Sequence, residues 1–247
     1  MKQLNKDIIL ANLPENRVNL EIYNEIHSTN ELSREKDVKN DFNLIIAQKQ
    51  TLGRGRQGKN WYSPNNGNIY MSISTEIPLN YAPESLITGI ICADVLSNHL
   101  KKEHISLKWP NDIVLDNKKV GGILVEKEHL KDKTKTVIGI GINFRIDSKE
   151  TWWGDLSKFN IDHLRDIIIA EITSGIINAY DNENKRWISQ WQKYCIHMNK
   201  KVKIIHNDNF SEDGIFENID EHGCAVLKTE SGTKIFNSGE ISIKGVY

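Results

Sequence analysis

"TLGRGRQGKNWYSPNNGNIYMSI", residues 51–73, sets glycines at 53, 55 and 58 among Arg54, Arg56 and Lys59, then runs through an indole into a stretch of strand character. Glycines let a backbone turn and bring its amides close to a ligand, while each guanidinium offers a planar fork that matches carboxylate or phosphate oxygens. The connector therefore predicts an anion cradle that orders on its ligand. It is neither GxxxxGK[ST] nor a glycine fingerprint opening a helix after a strand, so a Walker loop and a dinucleotide site are both set aside. On one side "FNLIIAQKQ" (42–50) is an apolar run of strand length; on the other "NIYMSISTEI" (68–77) alternates Ile69, Met71 and Ile73 against Tyr70, Ser72 and Ser74. The cradle is expected to join two strands.

Upstream, "EIHSTNELSREKDVKN" (25–40) puts Ser28 three positions before Glu31, the spacing of a capping box, so a short helix starts with Ser28, Thr29 and Asn30 at its N-terminal end. Downstream, Leu86, Ile90, Ala93, Leu96 and Leu100 recur at helical intervals. "ISLKWP" (105–110) reads as a short strand stopped by Pro110, "DIVLDNKKVGGILVE" (112–126) as two strands around a polar turn, and "KTVIGIGINF" (135–144) as another beyond the loop "HLKDKT" (129–134), together an antiparallel meander. Two helices are expected near 160–180 and 184–195. From Lys200 the pattern becomes four or five short strands split by Asn207, Asp208, Gly214, Gly223 and Gly232, which suggests a small β-barrel.

Two further segments stand beside the cradle. In "KWPNDIVL" (108–115) Asn111 and Asp112 place an amide and a carboxylate at the mouth of a strand, and Lys118 and Lys119 then precede Gly121 and Gly122, where the backbone can be approached closely. In "GIGINF" (139–144) glycines alternate ahead of Asn143, consistent with something flat lying across a surface cleared of side chains. Taken singly each reads as an ordinary turn or tight strand packing; the combination points beyond that.

Over 247 residues the formal charge is -1, with 38% hydrophobic and 26% charged residues, an ordinary globular composition that points to no nucleic-acid or membrane partner. The three cysteines, Cys92, Cys195 and Cys224, are odd in number and widely spaced, so neither a disulfide framework nor a CxxC metal site is expected, and a reducing cytoplasm is the simplest home. The N-terminal run IILA is far shorter than a signal sequence or the roughly 20 residues that span a bilayer.

In order along the chain, Ser28-Thr29-Asn30, Gln50, the Gly53–Gly58 cradle, Trp61, Lys108–Asp112, Lys119–Leu124, Gly139–Asn143 and the "GEISIK" of residues 239–244 resemble the motif series of biotin protein ligases. The resemblance implies an α+β fold: a catalytic domain over residues 1–198 related to class II aminoacyl-tRNA synthetases, with a mixed sheet flanked by helices, and an SH3-like barrel over 199–247. It implies that biotin and MgATP form biotinyl-5′-AMP and pyrophosphate, and that biotin then passes to a lysine on the biotin carboxyl carrier domain of a carboxylase such as acetyl-CoA carboxylase.

Carried over by position, the resemblance assigns biotin contacts to Ser28, Thr29, Asn30, Gln50, Arg54, Gly55, Arg56, Lys119, Gly121 and Gly122, and nucleotide contacts to Arg54, Arg56, Trp61, Asn111, Lys119 and Asn143. Arg54, Arg56, Lys119 and Asp112 carry the chemistry, with Asp112 orienting Mg2+ or the incoming lysine. Gln57 and Lys59 stand where some members carry Arg. The motifs begin at Ser28, which leaves too little chain ahead for a three-helix DNA-binding module, so a ligase without a DNA partner is expected. The rival readings are a lipoate ligase of the same fold and chemistry and a biotin-sensing repressor. An exposed sheet edge leaves a homodimer open.

Overall fold

The computed structural model describes residues 3–100, 105–147, 150–206, 210–239 and 241–244. In chain order its elements are α1 (Lys6–Ala11), β1 (Val18–Ile26), α2 (Thr29–Glu35), β2 (Phe42–Gln50), β3 (Ile69–Thr75), α3 (Glu84–His99), β4 (Ser106–Lys108), β5 (Asp112–Leu115), β6 (Lys118–Leu130), β7 (Lys133–Ile142), α4 (Arg165–Asp181), α5 (Trp187–Tyr194), β8 (Lys201–His206), β9 (Ser211–Ile219), β10 (Ala225–Thr229), β11 (Gly232–Phe236) and β12 (Ile241–Lys244). No helix among the described residues is long and apolar enough to cross a membrane.

The larger sheet runs β1-β2-β3-β7-β6-β5-β4, parallel between β1 and β2 and antiparallel elsewhere, so the expected meander, β4 to β7, forms one side of it with β4 at the edge. α2 supplies the crossover that a parallel pair requires. Strand alternation divides the faces. Ile69, Met71 and Ile73 of β3 enter the apolar core, whereas Ser72 meets Thr29 and Asn30 of α2. Both faces of β3 are buried, and through Ser72 the polar face supports Thr29 and Asn30, which line the site.

Several expectations shift. The leader contains α1, capped by Asn5 and anchored by buried Ile9, and β1, neither of which its composition announces. "HLKDKT" is not a loop: Leu130 pairs with Lys133, so only Lys131 and Asp132 turn. The turn before it is built by Asp116 and Asn117, both at positive φ (50° and 58°), as a two-residue hairpin of the primed type demands. Gly214 is no turn residue but sits within β9, where a Cβ would come within 3.0 Å of the Ile204 side chain. Asn207 and Asp208 lie outside the described residues.

The smaller sheet is antiparallel in the order β11-β10-β9-β8-β12, and among the described residues no ladder joins β11 to β12 to close a barrel. One contiguous apolar cluster serves both sheets, from Ile9 and Phe42 to Phe216, Leu227 and Ile243. The sheets are also pinned by the Trp109 Nε1–H bond to the Gly223 carbonyl (3.0 Å), at a turn where Gly223 has φ +75° and a Cβ would come within 2.6 Å of Pro83.

Candidate active site

A cleft of about 540 Å3 opens on the polar face of the large sheet, within the range typical of small-molecule sites. Its floor is a row of glycines. Gly122 of β6 pairs with Gly141 of β7, and Gly139 pairs with Ser72 of β3. The flat object lying across this cleared surface is the chain itself: a Cβ at Gly141 would come within 2.6 Å of the Trp61 indole, and one at Gly139 within 2.0 Å of Asn30 Oδ1.

At one end, Ser28 caps α2 by accepting from Glu31 N at 3.4 Å. Gln50 Oε1 accepts from Thr29 N and Thr29 Oγ1 (2.8 and 3.1 Å), and Gln50 Nε2 donates to Ser63 Oγ (2.9 Å). Ser72 Oγ donates to Asn30 Oδ1 (2.6 Å) and lies 2.7 Å from Thr29 Oγ1. Asn30 Nδ2 donates to Glu126 Oε2 (2.9 Å).

The cradle folds over the middle. Gly55 N donates to Lys59 O and Trp61 N to Gly53 O (2.6 and 2.8 Å), and Gln57 and Gly58 make the turn at positive φ. Gly53 is obligatory here, because a Cβ would come within 2.4 Å of the Trp61 carbonyl. Arg54 Nη2 stands 3.1 Å from Glu126 Oε1. Arg56 donates to Asn111 Oδ1 (3.2 Å) and to the carbonyl of Ser238, which ties the cradle to the smaller sheet. Burial pulls the Arg56 guanidinium below its ordinary pKa, and Asp112 opposes that pull.

The far end is crowded with positive charge. Lys119 Nζ lies 2.6 Å from Asp112 Oδ1 and 5.3 Å from the Trp61 ring centroid. Burial and then neighbouring Lys119, Lys244 and Lys59 push Lys108 down to about 8 against the pull of Asp112. Asn111 is fixed by donating Nδ2–H to Ile123 O (2.9 Å). Asn143 Nδ2 donates to Gly154 O (3.1 Å), while its buried Oδ1 and the buried Trp61 Nε1 have no partner among the described residues.

Residues 23–143 match the biotin/lipoate A/B protein ligase family, and residues 197–244 match the biotin protein ligase C-terminal domain. The bifunctional ligase/repressor BirA of Escherichia coli (strain K12) is 33% identical over 235 residues, covering 89% of this chain and 72% of that protein. The chain belongs to the biotin protein ligase family. The solved biotin protein ligase from Aquifex aeolicus in complex with biotin and ATP is 26% identical, with a TM-score of 0.75 over 92% of this chain and 98% of that one. The biotin--[acetyl-CoA-carboxylase] ligase of Mycobacterium tuberculosis is 25% identical, covering 80% of this chain and 77% of that protein.

Every candidate named from the biotin ligase motifs lines the cleft except Gly121, whose Cβ direction points to Ile113 and the Gly141 carbonyl instead. Alternation explains this, since Gly122 and Gly121 face opposite sides of β6. The motif reading assigned no role to Ser72, Glu126, Lys108, Ile241–Lys244 or the aromatic rim, where Tyr62 stacks on Trp153 at 6.1 Å beside half-exposed Trp152. Counting in twos from Gly122 through Leu124 would have reached Glu126. The rim carries no local signal, and the closing strand was matched as a motif without a place at the cleft. Glu240 of the closing motif lies outside the described residues. No group of three or more His, Cys, Asp or Glu side chains that could hold a metal exists among the described residues. Magnesium that arrives with a nucleotide takes one or two carboxylates and completes its shell with phosphate oxygens and water, and the cleft carboxylate Asp112 is paired here with Lys119 Nζ at 2.6 Å.

Proposed function

We propose that this chain is an ATP-dependent biotin protein ligase. A biotin carboxylate oxygen attacks the α-phosphorus of ATP, the bond from that phosphorus to the bridging oxygen breaks, and pyrophosphate leaves. The amine of a lysine on a biotin carboxyl carrier domain, as in acetyl-CoA carboxylase, then attacks the acyl carbon, and AMP leaves as the amide forms. The observation that carries this reading is the convergence of Arg54, Arg56, Lys108 and Lys119 from separate segments over a glycine floor. Joining two anions needs positioning and positive potential more than a side-chain nucleophile.

Ser28, Thr29, Asn30 and Gln50 hold the ureido ring, whose N–H and C=O groups match this polar cluster better than an apolar dithiolane would. Arg54 and Arg56, with the Gly55 and Gly122 backbone, receive the carboxylate and phosphate, and Lys119 bridges the carboxyl oxygen and the α-phosphate. Trp61 stacks on adenine. The unpartnered Asn143 Oδ1 supports a nucleotide N–H donor there. Asn111 faces the phosphates and Asp112 orients magnesium or the acceptor lysine. Magnesium bound with ATP supplies charge neutralisation for the departing pyrophosphate.

We assign residues 1–198 to a catalytic domain and 199–247 to an SH3-like domain, a division supported by the change from mixed to antiparallel sheet. Cys92, Cys195 and Cys224 form no disulfide among the described residues, which supports a reducing cytoplasm. The test is to incubate the protein with labelled biotin, MgATP and a carrier domain. Label is expected on the carrier only when all are present, and pyrophosphate only when biotin and MgATP meet the enzyme. Absence of pyrophosphate overturns the reading; the same yield with lipoate redirects it.

A further inference from the structure

Glu126 lies on the face of β6 shared by Gly122 and Leu124, behind the wall formed by Asn30 and Arg54, and its side chain is 20% exposed. Its two oxygens serve different partners. Oε1 stands 3.1 Å from Arg54 Nη2 of the cradle, with Arg34 Nη1 at 3.9 Å on the outer side, and Oε2 accepts from Asn30 Nδ2 at 2.9 Å. Asn30 Nδ2 donates to the Leu124 carbonyl (3.3 Å) as well as to Glu126, and Asn30 Oδ1 accepts from Ser72, so the amide is held in one orientation from three sides. Glu126 engages one terminal nitrogen of Arg54, and the geometry of a guanidinium leaves the other edge of the fork able to take a second carboxylate.

We infer that Glu126 is a positioning residue for recognition of the ligand's carboxylate: one oxygen orients Arg54 while the other is anchored by Asn30. The inference rests on the reading of the cleft as a biotin site. A half-exposed arginine on a glycine connector has many rotamers, and a fixed counter-ion selects the one that reaches the cleft, which lowers the entropy lost on binding. The effect is specific to ligands that carry a carboxylate.

Glu126→Gln keeps the shape and the acceptor for Asn30 but removes the charge that orients Arg54. Calorimetry with biotin and with biotinamide, which has the ring but no carboxylate, reads the two halves separately. For wild type against E126Q, biotin is expected to bind about tenfold more weakly to the variant, the scale of one charge-assisted contact, while biotinamide binds both equally. In an R54A background the E126Q change is expected to add nothing to the loss of biotin affinity. In turnover, KM for biotin rises more than kcat falls. A merely structural role would weaken both ligands together, and that result overturns the inference, as does unchanged biotin binding or an undiminished E126Q effect in R54A. If wild type fails to bind biotin at all, the reading of the site falls and the inference with it; if wild type binds and the variant is indifferent, the inference alone falls.

Discussion

At the cleft end of α2 the polar side chains answer one another: Thr29 with Gln50, Gln50 with Ser63, Ser72 with Asn30, Asn30 with Glu126, while buried Ser33 and Ser74, which do not line the cleft, have no partner among the described residues. Around Asn143 and Trp61 they do not, since buried Asn143 Oδ1 and Trp61 Nε1 have no partner among the described residues, and ammonium groups crowd nearby around Asp112. The difference teaches what each end is for. A closed network is organised before its ligand arrives and recognises shape and hydrogen-bonding pattern. An unpaired acceptor, an unpaired donor and crowded cations leave polar groups that a ligand of matching charge and hydrogen-bonding pattern can satisfy.

The sharpest way to break this contrast is Lys119→Ala. Removing one preorganised charge at the cationic end is expected to slow pyrophosphate release by about 100-fold or more while weakening biotin affinity by about tenfold, the share of its contact to the carboxyl oxygen. Lys118→Ala, at an exposed neighbour on the turn, is expected to change neither. Single-turnover measurement of adenylate formation separates the two variants.

Beneath the cationic end, His197 is fully buried with both ring nitrogens unpartnered among the described residues. Burial first, then Lys108 and Lys200, pull it from 6.5 down to about 4, against a smaller opposing effect of Asp112. Between those values the unfolded chain binds a proton that the folded chain does not, so stability is lost as pH falls through the window and is complete above it. The loss attributable to this group approaches ~3 kcal/mol by pH 4. His197→Phe, packing beside Phe216, is expected to flatten that part of the stability curve in urea titrations at successive pH values.

At the networked end, Gly139→Ala forces a Cβ to within 2.0 Å of Asn30 Oδ1. It is expected to cost about 1–3 kcal/mol of stability and to weaken biotin binding more than ATP binding, as calorimetry with each ligand would report. Ser28→Ala gives the smallest effect. The cap contact is long at 3.4 Å, so the cost should lie at the lower end of the usual range, about 0.5–1 kcal/mol in thermal melts.

Much of this was legible in the chain. The Gly/Arg connector, KWPND and GIGIN each sit where the cleft is, because glycines needed for close approach and charges needed at a surface stand out from ordinary patterning. The helix capped by Ser28 and the largely buried α3 were equally plain, since both are written in local spacing. What stayed hidden depends on register between distant segments. Nothing local says that residues 30 and 61, and not a ligand, lie over Gly139 and Gly141. β1 escaped because its alternation breaks at Tyr23-Asn24-Glu25, and its parallel pairing with β2 is a tertiary choice. Glu126 escaped because a carboxylate on a β-strand reads as solvent-facing until the face it shares is known.

The turn at Gly223 has a mechanical consequence. It accepts the indole N–H of Trp109, two residues ahead of Asn111, and on the opposite bank Arg56 holds the carbonyl of Ser238. The smaller sheet thus acts as a latch across both banks, and prising it away would drag the phosphate-facing turn and the cradle in different directions.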